Sequence, residues 1–325
     1  VVGGVRRSAL ISLSNLNDDQ MRHAKTGEWW SANGQRSLAN NSVAYKGKPK
    51  METYMREWLS LYESKSGERG MFNRQAADSQ VAKNGRRETG YMWGTNPCSE
   101  IILRPYQFCN LTEVVVREDD NEDTLLKKVE LATILGTIQA KLTNFKYLRK
   151  VWSNNTELER LLGVSLTGIM DCTLTNGKDQ GIEQRLERLR HAAVEANKAM
   201  AGELGIPQSA AVTCVKPSGN ASVLLQTASG IHAEHSAMYI RNVQMNKESE
   251  ITQAIMKSNP WMVEESVWSA GGTDVVVSFP IVPHEESIYK DDLIGVKHLE
   301  LVAKACLLYT SDAADEGLGV DLGGR

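Results

Sequence analysis

The sequence contains no uninterrupted apolar run that approaches the roughly 18 residues of a transmembrane helix, which argues against a membrane protein. It also lacks an excess of one charge, since 37 basic and 40 acidic side chains leave a net charge of −3. A chain with so balanced a charge has no net electrostatic field that would attract nucleic acid or a membrane surface. Phosphate binding would therefore need a local site. An apolar fraction of 41% and a charged fraction of 24% exclude a disordered or collagenous chain.

Cysteine is scarce, with five among 325 residues, and the number is odd. Near the N-terminus, Arg6 and Arg7 lie within a short apolar stretch that has no cleavage pattern, so we expect no secretory signal. These features predict a cytoplasmic protein with reduced thiols. A cysteine with a function is then expected to be catalytic or redox-active rather than part of a structural disulfide.

Strands and long helices alternate along most of the chain. Apolar periodicity predicts helices over about 124–148 and 182–204, and apolar runs predict strands at 210–215 and 274–282. This alternation is typical of βα units around a largely parallel sheet, so the predicted fold class is α/β. With no internal repeat or linker, residues 1–305 are interpreted as one large domain, incomplete at both ends.

The C-terminal residues depart from this pattern. Residues 306–325, which begin with Cys306 and end in a Gly-rich stretch, resemble the conceptual translation of a sequencing-library adapter. A natural acidic, flexible terminus is the alternative. We expect residues 306–325 to be a non-native tail outside the fold, which removes Cys306 from the functional cysteines.

The most informative segment is Thr95-Asn-Pro-Cys-Ser-Glu-Ile101. In an extended chain Asn96, Cys98 and Glu100 would share one face, with a thiol between an amide and a carboxylate. Such a row could span the 2′ and 3′ positions of one ribose. Two alternatives stay open: a strand whose cysteine only packs, although Asn, Pro and Glu are poor strand formers, and a Cys–His hydrolase, for which no pairing is legible.

A second candidate feature is the turn after the strand at 210–215. Lys216-Pro-Ser-Gly-Asn-Ala-Ser222 combines cap-forming residues with a following apolar run that can start a helix. Free N–H groups at a helix start bind anions, and Gly219 permits close approach. The turn is not a Walker A loop, and an ordinary N-capped turn is the alternative.

Two histidines, His232 and His235, do not form a metal motif. Their spacing differs from His-Glu-x-x-His and no third ligand is apparent. We therefore expect no protein-bound metal.

The segment from Gly94 to Glu113 closely resembles the finger loop of the ribonucleotide reductases. The likeness is strongest to the monomeric, adenosylcobalamin-dependent (class II) ribonucleoside-triphosphate reductases, and it extends from Val1 to about Ala305. Further blocks follow in the same order as in that family, at residues 1–13, 37–45, 64–74, 163–171 and 216–243. The resemblance implies a partial ten-stranded α/β barrel, of the ribonucleotide reductase and glycyl-radical type, with a central finger loop.

The resemblance also implies roles for single residues. Cys98 matches the cysteine that becomes a thiyl radical and abstracts the ribose 3′-hydrogen. Glu100 matches the carboxylate that deprotonates the 3′-hydroxyl, and Asn96 the amide that holds substrate hydroxyls. Cys109 matches one member of the redox pair; its partner is expected upstream of Val1, which would leave Cys109 a lone thiol in this chain.

Two further segments receive roles from the same resemblance. The residues implied in holding the substrate phosphates are Ser218, Gly219, Asn220, Ala221 and Ser222. The loop implied in relaying effector identity to substrate choice supplies Gly4, Arg6, Arg7 and Ser8; a surface turn is its alternative.

The implied activity is reduction of ribonucleoside triphosphates to 2′-deoxyribonucleotides, with adenosylcobalamin as cofactor, a deoxynucleotide effector, and thioredoxin or an equivalent dithiol as reductant. The expected partners include neither nucleic acid nor membrane. One alternative is the large subunit of a class I ribonucleoside-diphosphate reductase, which uses a metal-containing radical subunit. Another is a non-catalytic nucleotide-binding relative. We expect the chain alone to be inactive.

Overall fold

The computed structural model describes residues 10–65, 68–269, 271–293 and 295–310. The predicted specificity loop (Gly4, Arg6, Arg7 and Ser8) therefore lies outside the described residues, as do residues 311–325 of the predicted tail. The helices of the described residues are α1 Asp19–Arg22, α2 Trp29–Ala32, α3 Met51–Ser64, α4 Arg74–Asn84, α5 Glu122–Ala140, α6 Lys150–Glu159, α7 Ile182–Leu204, α8 Asn220–Leu225, α9 Glu250–Ser258 and α10 Gly295–Leu308. The strands are β1 Leu10–Ser14, β2 Ala39–Tyr45, β3 Gly70–Asn73, β4 Gly94–Thr95, β5 Ile102–Leu103, β6 Asn110–Val115, β7 Leu162–Thr167, β8 Thr213–Cys214, β9 Tyr239–Asn246, β10 Val263–Glu265 and β11 Asp274–Ile281.

The α/β class is confirmed, and two of the sheets are parallel. Strands β1, β2 and β3 form one parallel sheet in that order, and β6, β7 and β8 form the other. The helix predicted over 182–204 is α7, whereas α5 ends at Ala140, earlier than predicted. None of the described helices is long and apolar enough to cross a bilayer.

The main core lies between the second parallel sheet and helices α5 and α7. Val164 and Leu166 of β7 pack with Leu125 of α5 and Leu189 of α7, and all four are fully buried. Helix α5 begins at a capping box, in which the Asn121 side chain and Thr124 exchange hydrogen bonds with each other's backbone N–H groups. One face of the sheet is thus covered by helices, which leaves the opposite face of β6, β7 and β8 for a different neighbour.

The remaining sheets are antiparallel and correct the expectation of a single, largely parallel sheet. Strand β11 pairs antiparallel with both β9 and β10, and β4 pairs antiparallel with β5. The described residues thus form four separate, unclosed sheets rather than a ten-stranded barrel. The barrel is accordingly not confirmed.

The predicted boundary of the tail at residue 306 does not match the packing. Helix α10 continues through Cys306 to Leu308, and Tyr309 is fully buried, where its hydroxyl donates to the Val164 carbonyl at 3.0 Å. Leu308 and Tyr309 therefore pack against the core, which corrects the expectation that the chain leaves the fold at residue 306. An apolar segment of any origin can cover an apolar groove, so the adapter origin of residues 306–325 stays a prediction.

Candidate active site

The Asn-Pro-Cys-Ser-Glu segment forms the tip of a short hairpin. Strands β4 and β5 pair through two residues each, Gly94 with Leu103 and Thr95 with Ile102. At the tip the Ser99 N–H donates to the Asn96 carbonyl at 3.0 Å, and Ser99 adopts a left-handed φ of 64°. The predicted extended row is therefore wrong, because the chain turns between Asn96 and Ser99 rather than continuing as a strand.

The three predicted side chains of the tip have different surroundings. Cys98 is exposed, Asn96 is half-buried, and Glu100 is only 2% exposed. The Asn96 side-chain oxygen accepts a hydrogen bond from the Ile101 N–H at 3.2 Å, so this amide partly serves to close the turn. A hydrogen bond from Asn40 of β2 to the Pro97 carbonyl, at 2.7 Å, ties the tip to the first parallel sheet.

Glu100 carries an unsatisfied buried carboxylate. Neither oxygen has a hydrogen-bond partner among the described residues, although both are removed from solvent. Burying a polar group without a partner costs free energy, and a carboxylate offers about four acceptor sites. Native proteins retain few such groups, and those that persist call for an explanation such as a catalytic role.

The tip of the β4–β5 hairpin, here called the finger, lies over the face of β6, β7 and β8 that helices α5 and α7 do not cover. Gly163 of β7 is in register with Leu111 of β6, and a Cβ at Gly163 would lie 2.4 Å from Leu111 Cδ2, 2.9 Å from Cys214 Sγ and 3.3 Å from Ile101 Cδ1. The absent side chain at Gly163 therefore lets the finger residue Ile101 and the Cys214 thiol approach the same point of the sheet.

Two thiols share the electrostatic surroundings of Glu100. The pKa of the Cys109 thiol is raised to about 12, mainly by burial and also by the Glu100 carboxylate, while the Lys216 ammonium opposes both effects. Burial also raises the pKa of the Cys214 thiol, and again Glu100 adds to the effect while Lys216 opposes it. Glu100, Cys109, Cys214 and Lys216 thus lie close enough to influence one another electrostatically.

The apolar residues around Cys214 in the sequence are typical of a packing cysteine, and Cys214 is indeed buried. A signal for its position was nevertheless present. Cys214 lies two residues before Lys216, on the strand that leads into the predicted phosphate turn, so any approach of the finger to that turn also brings it close to Cys214. Cys172, the other buried cysteine, packs in the helix-covered core instead.

The predicted phosphate turn is connected to the same sheet. Ser218 donates to Glu113 of β6 at 3.2 Å and accepts the Ser222 N–H at 3.0 Å, while the Ser222 hydroxyl donates to the Gly219 carbonyl at 2.8 Å. Gly219 is the N-cap of α8. The Ser222 amide is therefore already used inside the turn, and an anion would meet the earlier amides, from Gly219 to Ala221, which have no intrahelical acceptor.

A glycine behind this turn holds it against β7. Gly230 has a φ of +56°, its N–H donates to the Thr167 hydroxyl at 2.8 Å, and a Cβ there would lie 2.6 Å from the Lys216 carbonyl oxygen. Next to it, the buried Asp171 carboxylate accepts the Ala228 N–H at 2.7 Å. These contacts fix the turn relative to the strand that also supports the finger.

The two histidines weighed for a metal have other contacts. His232 Nδ1 is 2.9 Å from the Ser229 carbonyl, and the ring of His235 packs edge-on against Tyr239. Among the described residues, no group of three or more His, Cys, Asp or Glu side chains is placed to hold a metal ion.

Comparison with known proteins supports the family resemblance. The adenosylcobalamin-dependent ribonucleoside-triphosphate reductase of Lacticaseibacillus paracasei is 28% identical over 312 residues, which cover 86% of this chain and 40% of that protein. The reductase of the same name from Lactobacillus helveticus is 29% identical over 291 residues, covering 79% and 37%. The resemblance to adenosylcobalamin-dependent ribonucleotide reductases is confirmed. The chain spans about two fifths of the length of these curated relatives.

Solved structures agree at the level of the fold. The crystal structure of a B12-dependent (class II) ribonucleotide reductase superposes with a TM-score of 0.71 at 21% identity, covering 95% of this chain and 47% of that one. The class Id ribonucleotide reductase alpha subunit of Actinobacillus ureae gives a TM-score of 0.61 at 12% identity, covering 92% and 63%. No family model matches the sequence. The α/β fold of this chain is therefore the fold of a segment of these ribonucleotide reductases.

Proposed function

We propose that the chain is the substrate-reducing part of a ribonucleotide reductase, which converts ribonucleoside triphosphates to 2′-deoxyribonucleotides and so supplies DNA precursors. The names of the relatives and the shared fold support this proposal. The single observation that carries it is the buried, unpartnered Glu100 carboxylate, held at a finger tip within electrostatic range of the Cys109 thiol.

The proposed chemistry uses the two ends of the finger tip differently. Cys98 takes the ribose 3′-hydrogen as a thiyl radical, while Glu100 removes the 3′-hydroxyl proton as the 2′-hydroxyl leaves as water. Asn96 holds a substrate hydroxyl, and the Cys109 thiol gives the proton with which the 2′-hydroxyl leaves. Cys109 and the second thiol of the redox pair then supply two electrons and become a disulfide, after which Cys98 returns the hydrogen to the 3′-carbon. A carboxylate removed from water and left without a hydrogen bond is suited to accept a proton from a substrate hydroxyl.

The proposed cofactor is adenosylcobalamin, which when bound supplies the radical that oxidises the Cys98 thiol. One feature of the described residues fits this cofactor: Cys98 is exposed at the tip, so that a radical source outside the finger can reach it. Because a thiyl radical must be protected from solvent, the proposal requires the tip to be covered during turnover. No described residue is assigned to holding the cobalamin.

Other parts of the proposal concern binding and regulation. The first amides of α8, with Ser218 to Ser222, are proposed to hold the substrate phosphates, since they begin a helix beside Lys216. Gly4, Arg6, Arg7 and Ser8 are proposed to relay the identity of a deoxynucleotide effector. We further propose a ten-stranded barrel in the complete protein, a cytoplasmic location, and thioredoxin or another dithiol as the reductant.

The test measures deoxynucleotide formation by the complete protein that the gene encodes, because this chain spans only part of its relatives. Ribonucleoside triphosphate and a dithiol are supplied with and without adenosylcobalamin. We expect turnover only with the cofactor, loss of turnover in Cys98→Ser, and retention in Cys172→Ala, which alters a buried cysteine of the helix-covered core. Turnover that needs a separate metal-containing subunit would favour the class I alternative, and unchanged turnover in Cys98→Ser would refute the mechanism.

A further inference from the structure

A buried cluster of charged and amide side chains lies at the base of the finger. Its members, here called the finger-base cluster, are Arg87, Arg104, Gln107 and Glu159. The side chains of Arg87, Arg104 and Glu159 are 0%, 4% and 4% exposed, and Gln107 is 5% exposed. None of these residues belongs to the predicted site.

Glu159, the last residue of α6, is the centre of the cluster. Its carboxylate lies 3.2 Å from Arg87 Nε and 3.3 Å from Arg104 Nη2, and it accepts a hydrogen bond from the Gln107 side-chain amide. The same Gln107 accepts from Arg87 Nη2 at 3.2 Å and from the Arg104 N–H at 3.1 Å. The Glu159 carboxylate therefore joins both guanidinium groups, and the Gln107 amide oxygen joins the Arg87 guanidinium to the backbone of Arg104.

The finger-base cluster lies close in sequence to both Glu100 and Cys109. Arg87 donates to the carbonyl of Ile102, two residues after Glu100 in the returning strand of the finger. Gln107 lies two residues before Cys109. We propose that the finger-base cluster is a positioning device that sets the distance between Glu100 and Cys109; its importance for turnover rests on the proposed function.

The finger cannot hold this position by its backbone alone. Strands β4 and β5 share two residue pairs, and so short a hairpin is marginal without other contacts. Buried guanidinium groups, in turn, require a compensating anion. In the described part of the chain Glu159 faces both of them, while Arg87 and Arg104 also lie over the rings of Trp93 and Tyr91 at 4.9 and 5.2 Å. Removing the negative charge of Glu159 should therefore release the finger base first.

The experiment measures the alkylation rate of each cysteine by iodoacetamide in the 325-residue chain, using mass spectrometry. In Glu159→Gln we expect Cys109 to react at least about 10-fold faster, with Cys172 still protected, because only the region around the finger opens. The matched control is Glu57→Gln. Glu57 is another buried carboxylate bound by two arginines, Arg22 and Arg69, but it lies on α3. In Glu57→Gln, Cys109 should keep its wild-type rate of alkylation.

A milder variant keeps the test decisive if Glu159→Gln does not fold. Gln107→Leu removes the shared amide without changing charge, and it should accelerate Cys109 in the same direction. The proposal would be overturned if Cys109 reacted at its wild-type rate in a folded variant. It would also be overturned if Cys109 and Cys172 were accelerated equally, because that indicates general destabilisation. In the complete protein, a positioning role predicts that Glu159→Gln and Gln107→Leu lower kcat with little change in KM. An inactive wild type together with accelerated Cys109 in the variant would refute the proposed function but not the positioning.

Discussion

Adding one methyl group at Gly163 should disturb the contact between the finger and the sheet. A Cβ there would lie 2.4 Å from Leu111 Cδ2 and 2.9 Å from Cys214 Sγ, both closer than side chains normally approach, and 3.3 Å from Ile101 Cδ1. Ile101 and Cys214 are 5% and 1% exposed and have little room to move, so part of the strain must remain. Overpacking of this kind costs about 1–3 kcal/mol, and we expect Gly163→Ala to lower the free energy of unfolding by that amount.

The assay is urea unfolding at constant m-value, with Gly202→Ala as the control. Gly202 lies in helix α7, and a Cβ added there would meet open space, so alanine at this position should raise stability by about 0.5–1 kcal/mol. In the complete protein Gly163→Ala should also lower kcat, because Ile101 directly follows Glu100. Stability of Gly163→Ala equal to or above that of the wild type would refute the packing argument.

Four further predictions concern the site and the ends of the chain. Glu100→Gln should lower deoxynucleotide formation about 100-fold or more while nucleotide binding, measured by equilibrium dialysis, is kept. Asn40→Ala removes the 2.7 Å bond to the Pro97 carbonyl and should speed hydrogen exchange of the tip amides in mass-spectrometric measurements, with α7 unaffected. The pKa of Cys109 is about 12 in the folded chain against 9.0 for an ordinary thiol, so the native state favours the protonated thiol. The free energy of unfolding, measured in urea, should therefore be constant below about pH 9 and fall as the pH rises towards 12. An increase in this range would contradict the prediction. If residues 306–325 derive from an adapter, the source DNA read without added adapters should encode a different sequence after Ala305; an identical one would refute that origin.

Local sequence signals predicted several elements well, because those signals depend on neighbouring residues. Helix α7 ends at Leu204, before Gly205 in the left-handed conformation, as its periodicity predicted. The finger segment was found from an unusual combination of residue types. Its extended shape was predicted wrongly, since the left-handed φ of Ser99 and the hydrogen bond from Ile101 to the Asn96 side chain leave no mark in residue pattern.

Features that depend on distant residues could not be predicted in this way. Arg87 and Glu159 are 72 positions apart, so their contact is not visible from spacing. The same holds for the separation of the strands into several sheets. In each case the arrangement is decided by packing between elements rather than by propensity within one.

The position of Asn96, Cys98 and Glu100 is therefore set by contacts with several parts of the molecule rather than by the motif alone. The motif supplies the thiol, the amide and the carboxylate, but its hairpin has only two residue pairs of its own. Its tip is tied to β2 by Asn40, and its underside packs where Gly163 leaves room on β7. A chain that preserved the Asn-x-Cys-x-Glu pattern but filled the space at Gly163 would keep the chemical groups and lose their alignment. Recognising this arrangement from sequence therefore requires the supporting residues as well as the motif.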